Sequence, residues 1–373
     1  MHLYLHIPFC KQACYYCDFH FSTQTSRKEE LVKAICREIE LQKDYLTEKS
    51  LQTVYFGGGT PSLLSEKEIG EIIRCIHQRF SLPSEAEITL EANPDDVNKL
   101  NLTFWKSLGI NRLSIGIQSF HEAHLRYLNR AHTASEAEQC VKLAQDYSFE
   151  NQTIDLIYGI PANDHSIWEK DLEKALNLGI NHLSAYCLTI EDKTVFGNRL
   201  RKKQMKPIQE DFASEQFEIL LRESHKAGFE QYEISNFAKN EAYSKHNTSY
   251  WLNEPYLGIG PSAHSFDREN RQWNIANNAL YIKSLLDNEV PFEIEKLTDT
   301  DRANELIMTG LRTKWGVDLK ALSKWADIKD KEFVQTLKDL QRAELIELRG
   351  EQLLLTQKAK LKADRIASDL FFV

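Results

Sequence analysis

The stretch Leu3-Tyr4-Leu5-His6-Ile7-Pro8-Phe9-Cys10-Lys11-Gln12-Ala13-Cys14-Tyr15-Tyr16-Cys17 places three thiols within eight residues, in a CxxxCxxC spacing, directly after a β-rich run. Residues 3–7 read as a strand. The cysteines therefore occupy the loop at a strand's C-terminal end, where α/β folds collect their ligands. The same unit, a short strand followed by an amphipathic helix, recurs along the first two-thirds of the chain. Strands are expected at 53–56, 87–91, 112–117, 153–158 and 182–188. Helices are expected at 28–44, 66–79, 134–146, 167–178 and 211–227. Six such units predict an α/β fold with a parallel sheet and right-handed crossovers, a partial (β/α)6 TIM-like barrel. An open doubly wound sheet is the alternative.

After about residue 228 the pattern changes. Residues 232–278 are rich in aromatics, Asn, Gly and Pro without clean periodicity, which reads as a long ordered excursion. Helical patterns return at 299–312, 319–326 and 331–343. Two short apolar runs, 345–348 and 353–356, then flank a turn at Arg349-Gly350, a hairpin signature. The expected organisation is a barrel over 1–228, a barrel-completing segment over 229–296 and a small winged-helix-like α+β domain over 297–373.

The composition is that of a globular protein, 42% hydrophobic and 27% charged, with a formal net charge of -9. An acidic balance argues against a nucleic-acid binder, which carries a basic excess, and no Lys/Arg-rich recognition helix stands out near the C-terminus. No apolar run approaches membrane-spanning length and the first residues show no signal pattern, so a cytoplasmic protein is expected. Peripheral association with a membrane surface stays open. The seven cysteines, at 10, 14, 17, 36, 75, 140 and 187, are odd in number and scattered, which is no disulfide framework.

Three clustered thiols need another role. A structural zinc site takes four ligands, commonly two from each of two knuckles, and the chain has no second CxxC pair. A cubane iron–sulfur cluster normally takes four cysteines. Three would leave one iron open to a chelating amine and carboxylate.

With Tyr4 and His6-Ile7-Pro8 before it, the cysteine run resembles the radical SAM superfamily. More narrowly it resembles the group that holds oxygen-independent coproporphyrinogen III dehydrogenase and the HemW haem chaperones. The resemblance extends over nearly the whole chain. It implies a [4Fe–4S] cluster on Cys10, Cys14 and Cys17, with S-adenosylmethionine (SAM) on its open iron. Gly57-Gly58-Gly59-Thr60-Pro61 resembles the motif that holds the SAM amino group, with Gly58, Gly59 and Thr60 at the ligand. Glu91, Gln118, Arg130 and Asp155 match residues that contact SAM. Tyr4 matches a tyrosine near the methionine carboxylate, and Tyr16 an aromatic beside the cluster. The positions fit the barrel rule, since Glu91 and Gln118 end strands. Asp155 lies within an apolar strand and needs a partner, a buried ion pair with Arg130 being one reading.

Two features separate the members of this group. The dehydrogenases carry another cysteine two positions after the third; here that position is Phe19. Residues His246-Asn247-Thr248-Ser249-Tyr250-Trp251 resemble the HNxxYW motif of the chaperones. A histidine can ligate haem iron and aromatics can pack on a porphyrin, so His246, Asn247, Tyr250 and Trp251 are candidate haem contacts. His20, His121, His124 and His264 are competing ligands. The resemblance therefore points to a haem carrier that serves an acceptor haem protein and takes electrons from a donor protein, rather than to an enzyme. Coproporphyrinogen dehydrogenase is the alternative, and another radical SAM enzyme, such as a methyltransferase, a third.

Overall fold

The structure, a computed structural model, describes residues 1–373. Its first part alternates as the sequence pattern requires: β1 (His2–Ile7), α1 (Lys28–Leu41), β2 (Thr53–Gly58), α2 (Glu66–Arg79), β3 (Glu87–Ala92), α3 (Lys99–Ser107), β4 (Arg112–Gln118), α4 (Glu122–Leu128), α5 (Ala134–Asp146), β5 (Asn151–Tyr158), α6 (Ser166–Asn177), β6 (His182–Cys187), α7 (Val195–Arg201) and α8 (Glu210–Lys226). Helices begin where local chemistry says they should. Ser65 with Glu68 and Thr133 with Glu136 form complete capping boxes that satisfy the first free N–H groups of α2 and α5.

Strands β1 to β6 lie side by side and parallel. Each alternates, apart from the apolar end of β5 at Leu156-Ile157-Tyr158. Leu3, Leu5, Val54, Phe56, Leu90, Leu113, Ile115, Leu156 and Leu183 join one 56-residue core with the inner faces of α1, α2, α3, α5 and α6. The opposite face is polar and partnered across the strands: His2 meets Thr53, Tyr55 meets Glu91, Ser114 meets Asp155 and Thr153 meets His182. Helices cover only the apolar face, so the sheet curls with its polar face inward as a lumen. Period-2 alternation is what a strand with two chemically different sides must show.

The excursion after residue 228 carries six short strands and two helices, contrary to its irregular reading. A hairpin, β7 (Glu230–Glu233) and β8 (Asn236–Ala238), adds to the β6 edge. Helix α9 (Lys245–Trp251) precedes β9 (Tyr256–Ile259), which pairs parallel to β1 on the other edge. Strands β10 (His264–Phe266), β11 (Asn270–Asn274) and β12 (Phe292–Lys296) continue antiparallel beyond β9, with α10 (Asn278–Leu286) between the last two. The result is one twelve-stranded sheet, open between β12 and β7. These strands are three to five residues long, too short for periodicity to announce.

The C-terminal part comprises α11 (Asp299–Leu311), β13 (Val317–Asp318), α12 (Leu319–Leu322), α13 (Lys331–Arg342), the hairpin β14 (Ile346–Arg349) and β15 (Gln352–Leu355), and α14 (Ala363–Asp369). It has its own core of fifteen buried residues from Ala303 to Leu370. The helix expected at 319–326 stops at Leu322, after one turn. Arg312 ties this part to the barrel through Glu233 at 3.3 Å, as does Lys314 through Glu230 at 2.7 Å.

Candidate functional site

The loop between β1 and α1 carries Cys10, Cys14 and Cys17, all free and half-buried. Backbone bonds fix its start: Cys10 N–H donates to Ser22 O at 3.1 Å, and Ser22 N–H to Pro8 O at 2.6 Å. Its middle is held from the β4–α5 side. Asn129, in the left-handed region at φ 58°, donates its side-chain amide to Ala13 O at 2.7 Å. Tyr15 N–H donates to Leu128 O, and Phe196 N–H to Tyr15 O. The Tyr15 and Tyr16 rings pack on a small apolar cluster of Leu128, Ile157, Ile160, Leu188 and Phe196.

Hydrogen-bond donors face two of the sulfurs. Thr60 Oγ1 lies 3.5 Å from Cys10 Sγ and Arg130 Nη1 lies 3.4 Å from Cys14 Sγ. Asn93 joins the two, donating to Thr60 Oγ1 at 3.3 Å and accepting from Arg130 Nη2 at 2.7 Å. Arg130 Nη2 also donates to Gly116 O at 2.7 Å, and Nη1 sits 3.5 Å from Tyr16 Oη. Burial raises the Cys10 and Cys17 thiol pKa values, that of Cys17 to about 11. A metal that takes thiols as thiolates releases their protons.

The glycine run shapes the neighbouring wall. Gly58 has φ +106°, and a Cβ there would meet the His6 ring at 2.7 Å. A Cβ on Gly59 would sit 2.8 Å from Phe9 O, so only glycine lets this loop run against the cysteine loop. Beyond it, Tyr55 Oη donates to Glu91 Oε1 at 2.8 Å, and Tyr4 stacks on Tyr55 with centroids 6.1 Å apart. Burial lifts the Glu91 carboxyl to about 7 and the Asp155 carboxyl to about 6. Gln118 takes φ 67°, a strained choice for a non-glycine residue, at a β-bulge that lays its amide over Gly116. Asp155 makes no ion pair with Arg130. Its partner is the Ser114 hydroxyl at 3.4 Å, because Arg130 is turned upward to Cys14, Asn93 and Gly116.

Cys10, Cys14, Tyr16, Thr60 and Arg130 are thus linked through Asn93 into one hydrogen-bonded group, with Cys17 on the same loop, Gly58, Gly59, Tyr4, Glu91 and Gln118 beside it and Asp155 one layer deeper. Sequence reasoning missed Asn93, Asn129 and Tyr55. Asn93 was detectable, since it directly follows β3 at the ligand end of the barrel. No three His, Cys, Asp or Glu side chains converge tightly enough to hold a single metal ion. Three separated thiols with donors aimed at sulfur suit a larger iron–sulfur cluster, as does the buried Arg130 Nε, which has no partner within the protein. The remaining cysteines lie apart: Cys36, Cys75 and Cys140 on helices, and Cys187 packed against the core.

The HNxxYW stretch corrects one expectation. It forms α9, which closes the opposite, N-terminal end of the barrel. His246 is 1% exposed. Its Nδ1 bonds Thr53 Oγ1 at 2.6 Å and its Nε2 bonds Tyr250 Oη at 2.8 Å, while its backbone N–H donates to Glu87. Burial holds the imidazole neutral, with its pKa well below the ordinary value. Neither nitrogen is presented to an iron. Tyr250 is spent on His246, Trp251 lies under the Arg312 guanidinium at 5.2 Å, and Asn247 is half-buried on the same short helix. His246 and Tyr250 brace the barrel floor, and in this conformation neither imidazole nitrogen is free for an iron. Of the competing histidines, His124 is buried and His121 lines an outer cavity between α5 and α6. His20 and His264 lie at the open end.

Comparison with known proteins decides the family. Residues 4–175 match the Radical SAM superfamily and residues 297–361 the HemN C-terminal domain. The chain is 33% identical over 367 residues to heme chaperone HemW of Bacillus subtilis (strain 168), covering 97% of each protein. The chain belongs to the HemW family. Heme chaperone HemW of Lactococcus lactis subsp. lactis is 35% identical over 315 residues, 84% of this chain and 82% of that one. Coproporphyrinogen III oxidase (HemN) from Escherichia coli superposes with a TM-score of 0.86 at 21% identity, covering 99% of this chain and 89% of its own, which shows the shared fold. Within this HemW-family chain, Phe19 stands 72% exposed beside the cysteine loop. An aromatic ring there faces solvent. No helix is long and apolar enough to cross a membrane.

Proposed function

We propose that this chain is a haem chaperone of the HemW type, which binds haem and delivers it to an acceptor haem protein in the cytoplasm. The observation that carries it is end-to-end likeness to heme chaperone HemW at a third identity, together with Phe19 in place of the additional cysteine. Cys10, Cys14 and Cys17 would hold a [4Fe–4S] cluster, with Thr60 and Arg130 donating to its sulfurs. Tyr4, Tyr16, Gly58, Gly59, Thr60, Glu91, Gln118, Arg130 and Asp155 would line the SAM site. When bound, this pair supplies reductive cleavage chemistry, fed by an electron donor protein; the chain's own groups bind, orient and exclude water. Residues 1–228 would carry these cofactors, 229–296 complete the barrel, and 297–373 serve as a docking domain.

The test is anaerobic reconstitution followed by two assays. Stoichiometric haem binding without conversion of coproporphyrinogen III is expected. Formation of protoporphyrinogen IX with matching 5′-deoxyadenosine release would overturn the proposal and favour a dehydrogenase.

A further inference from the structure

The twelve histidines of this chain are not equally free to take a ligand. His2, His6, His182 and His246 have both ring nitrogens bonded within the barrel. His124 and His132 are buried, and His165 is engaged by Glu215 at 2.7 Å. His77 and His225 sit on the outer faces of α2 and α8, and His121 faces the outer helix layer. At the open end, His20 is held through Nε2 by Asn278 Oδ1 at 2.8 Å.

His264 differs from all of these. It opens β10, its side chain is exposed, and neither ring nitrogen is hydrogen-bonded. Strand register gives its direction. His2 is opposite Tyr256, Tyr256 opposite Phe266, and His264 is two residues from Phe266, so all point to the lumen side. Trp273, its partner on β11, meets it edge-on with ring centroids 6.2 Å apart. Gly258 fills the register position between His264 and Tyr4, and a Cβ there would strike the His264 backbone, so β10 lies close against β9. Partial desolvation and the nearby Arg271 guanidinium hold the His264 pKa below its ordinary value, which favours the neutral imidazole that metals bind. Phe19 and Tyr186, 72% and 42% exposed, offer apolar faces on the cysteine loop and at the end of β6.

We propose that His264 is the axial ligand to the iron of a haem seated over the open end of the barrel, with Trp273 bracing the imidazole. This rests on the haem-chaperone function proposed above. It moves the haem away from α9 at the floor to the end that also carries the cysteines. An iron ligand there can be approached, and released, without opening the core.

The test titrates ferric haem into the reconstituted full-length protein and follows the Soret band and the low-spin iron signal by electron paramagnetic resonance. His264→Ala is expected to weaken haem binding about tenfold or more and to remove the low-spin signal. Added imidazole is expected to restore that signal, which a merely structural loss would not allow. His246→Gln, in the floor, is expected to keep the wild-type spectrum. Wild-type affinity and spectrum in His264→Ala would overturn the assignment while leaving the chaperone function standing. Absence of haem binding by the wild-type protein would instead remove the chaperone function, and this ligand with it.

Discussion

Arg130 Nη1 lies 3.4 Å from Cys14 Sγ, although the two residues are 116 positions apart. The same guanidinium closes on Asn93 and on Gly116 O, so one side chain ties the ends of β3 and β4 to the cysteine loop. Arg130→Ala would leave two acceptors inside the site unpaired, at about 1–3 kcal/mol each. The expected outcome is weakened SAM binding and slower cluster reconstitution, read by equilibrium dialysis and iron content. Wild-type values for both would show that the Arg130–sulfur contact has no bearing on the cofactors.

Gly59 is the point of the glycine run where an added Cβ would meet backbone rather than side chain. Gly59→Ala must push a methyl group against Phe9 O and Ile7 O, displacing the loop that begins at Pro8. Destabilisation of about 1–3 kcal/mol is expected in denaturant unfolding, with loss of SAM binding. A variant that binds SAM normally would mean the two loops can separate at no cost.

Phe19 is exposed and packs against little. Phe19→Cys is therefore expected to change stability by no more than about 0.5 kcal/mol. It should not confer conversion of coproporphyrinogen III, because a barrel-mouth substrate site needs more than one thiol. Activity appearing in this variant would make position 19 the switch between the two functions.

The His246 imidazole joins β2 to α9 through Thr53 and Tyr250. His246→Ala removes both bonds and leaves a cavity in the floor, at roughly 3 kcal/mol. The loss should appear in thermal unfolding of protein that contains no haem. An unchanged melting temperature would contradict a bracing role.

Glu38 is buried beneath α10, accepting bonds from Tyr281 Oη, Gly260 N–H at 2.8 Å and Asn274 Nδ2 at 2.6 Å. Burial outweighs these bonds and lifts its carboxyl from the ordinary 4.5 to about 7. The native state therefore holds this proton more tightly than the unfolded chain. Stability from this group is full below the unfolded pKa, falls as pH rises from 4.5 to about 7, and levels off above that. The loss amounts to roughly 3 kcal/mol. The unfolding free energy of wild type, measured from about pH 5 to about pH 8, should fall relative to that of Glu38→Gln as pH rises. A constant difference between them would mean Glu38 does not titrate in this range.

Local chemistry alone determined much of this protein. Strict alternation in stretches such as His2-Leu3-Tyr4-Leu5-His6-Ile7 marks a strand with one apolar and one polar side, and six such strands separated by amphipathic helices dictate a parallel sheet. The CxxxCxxC spacing and the strand-end position of Glu91 identified the cofactor end, because parallel strands present their C-terminal ends together. Three things were decided only by the tertiary structure. Strands β9 to β12 exist because β1 leaves an edge to be paired, which segments of three to five residues cannot reveal by period. Arg130 meets Cys14 instead of Asp155 because sheet curvature brings the α4–α5 loop over the cysteine loop. His246 looked like a ligand among aromatics, and became a brace when folding supplied a partner for each of its nitrogens. The chemistry of an imidazole is written in the sequence, but whether it is free to bind depends on which atoms the fold places within hydrogen-bond reach.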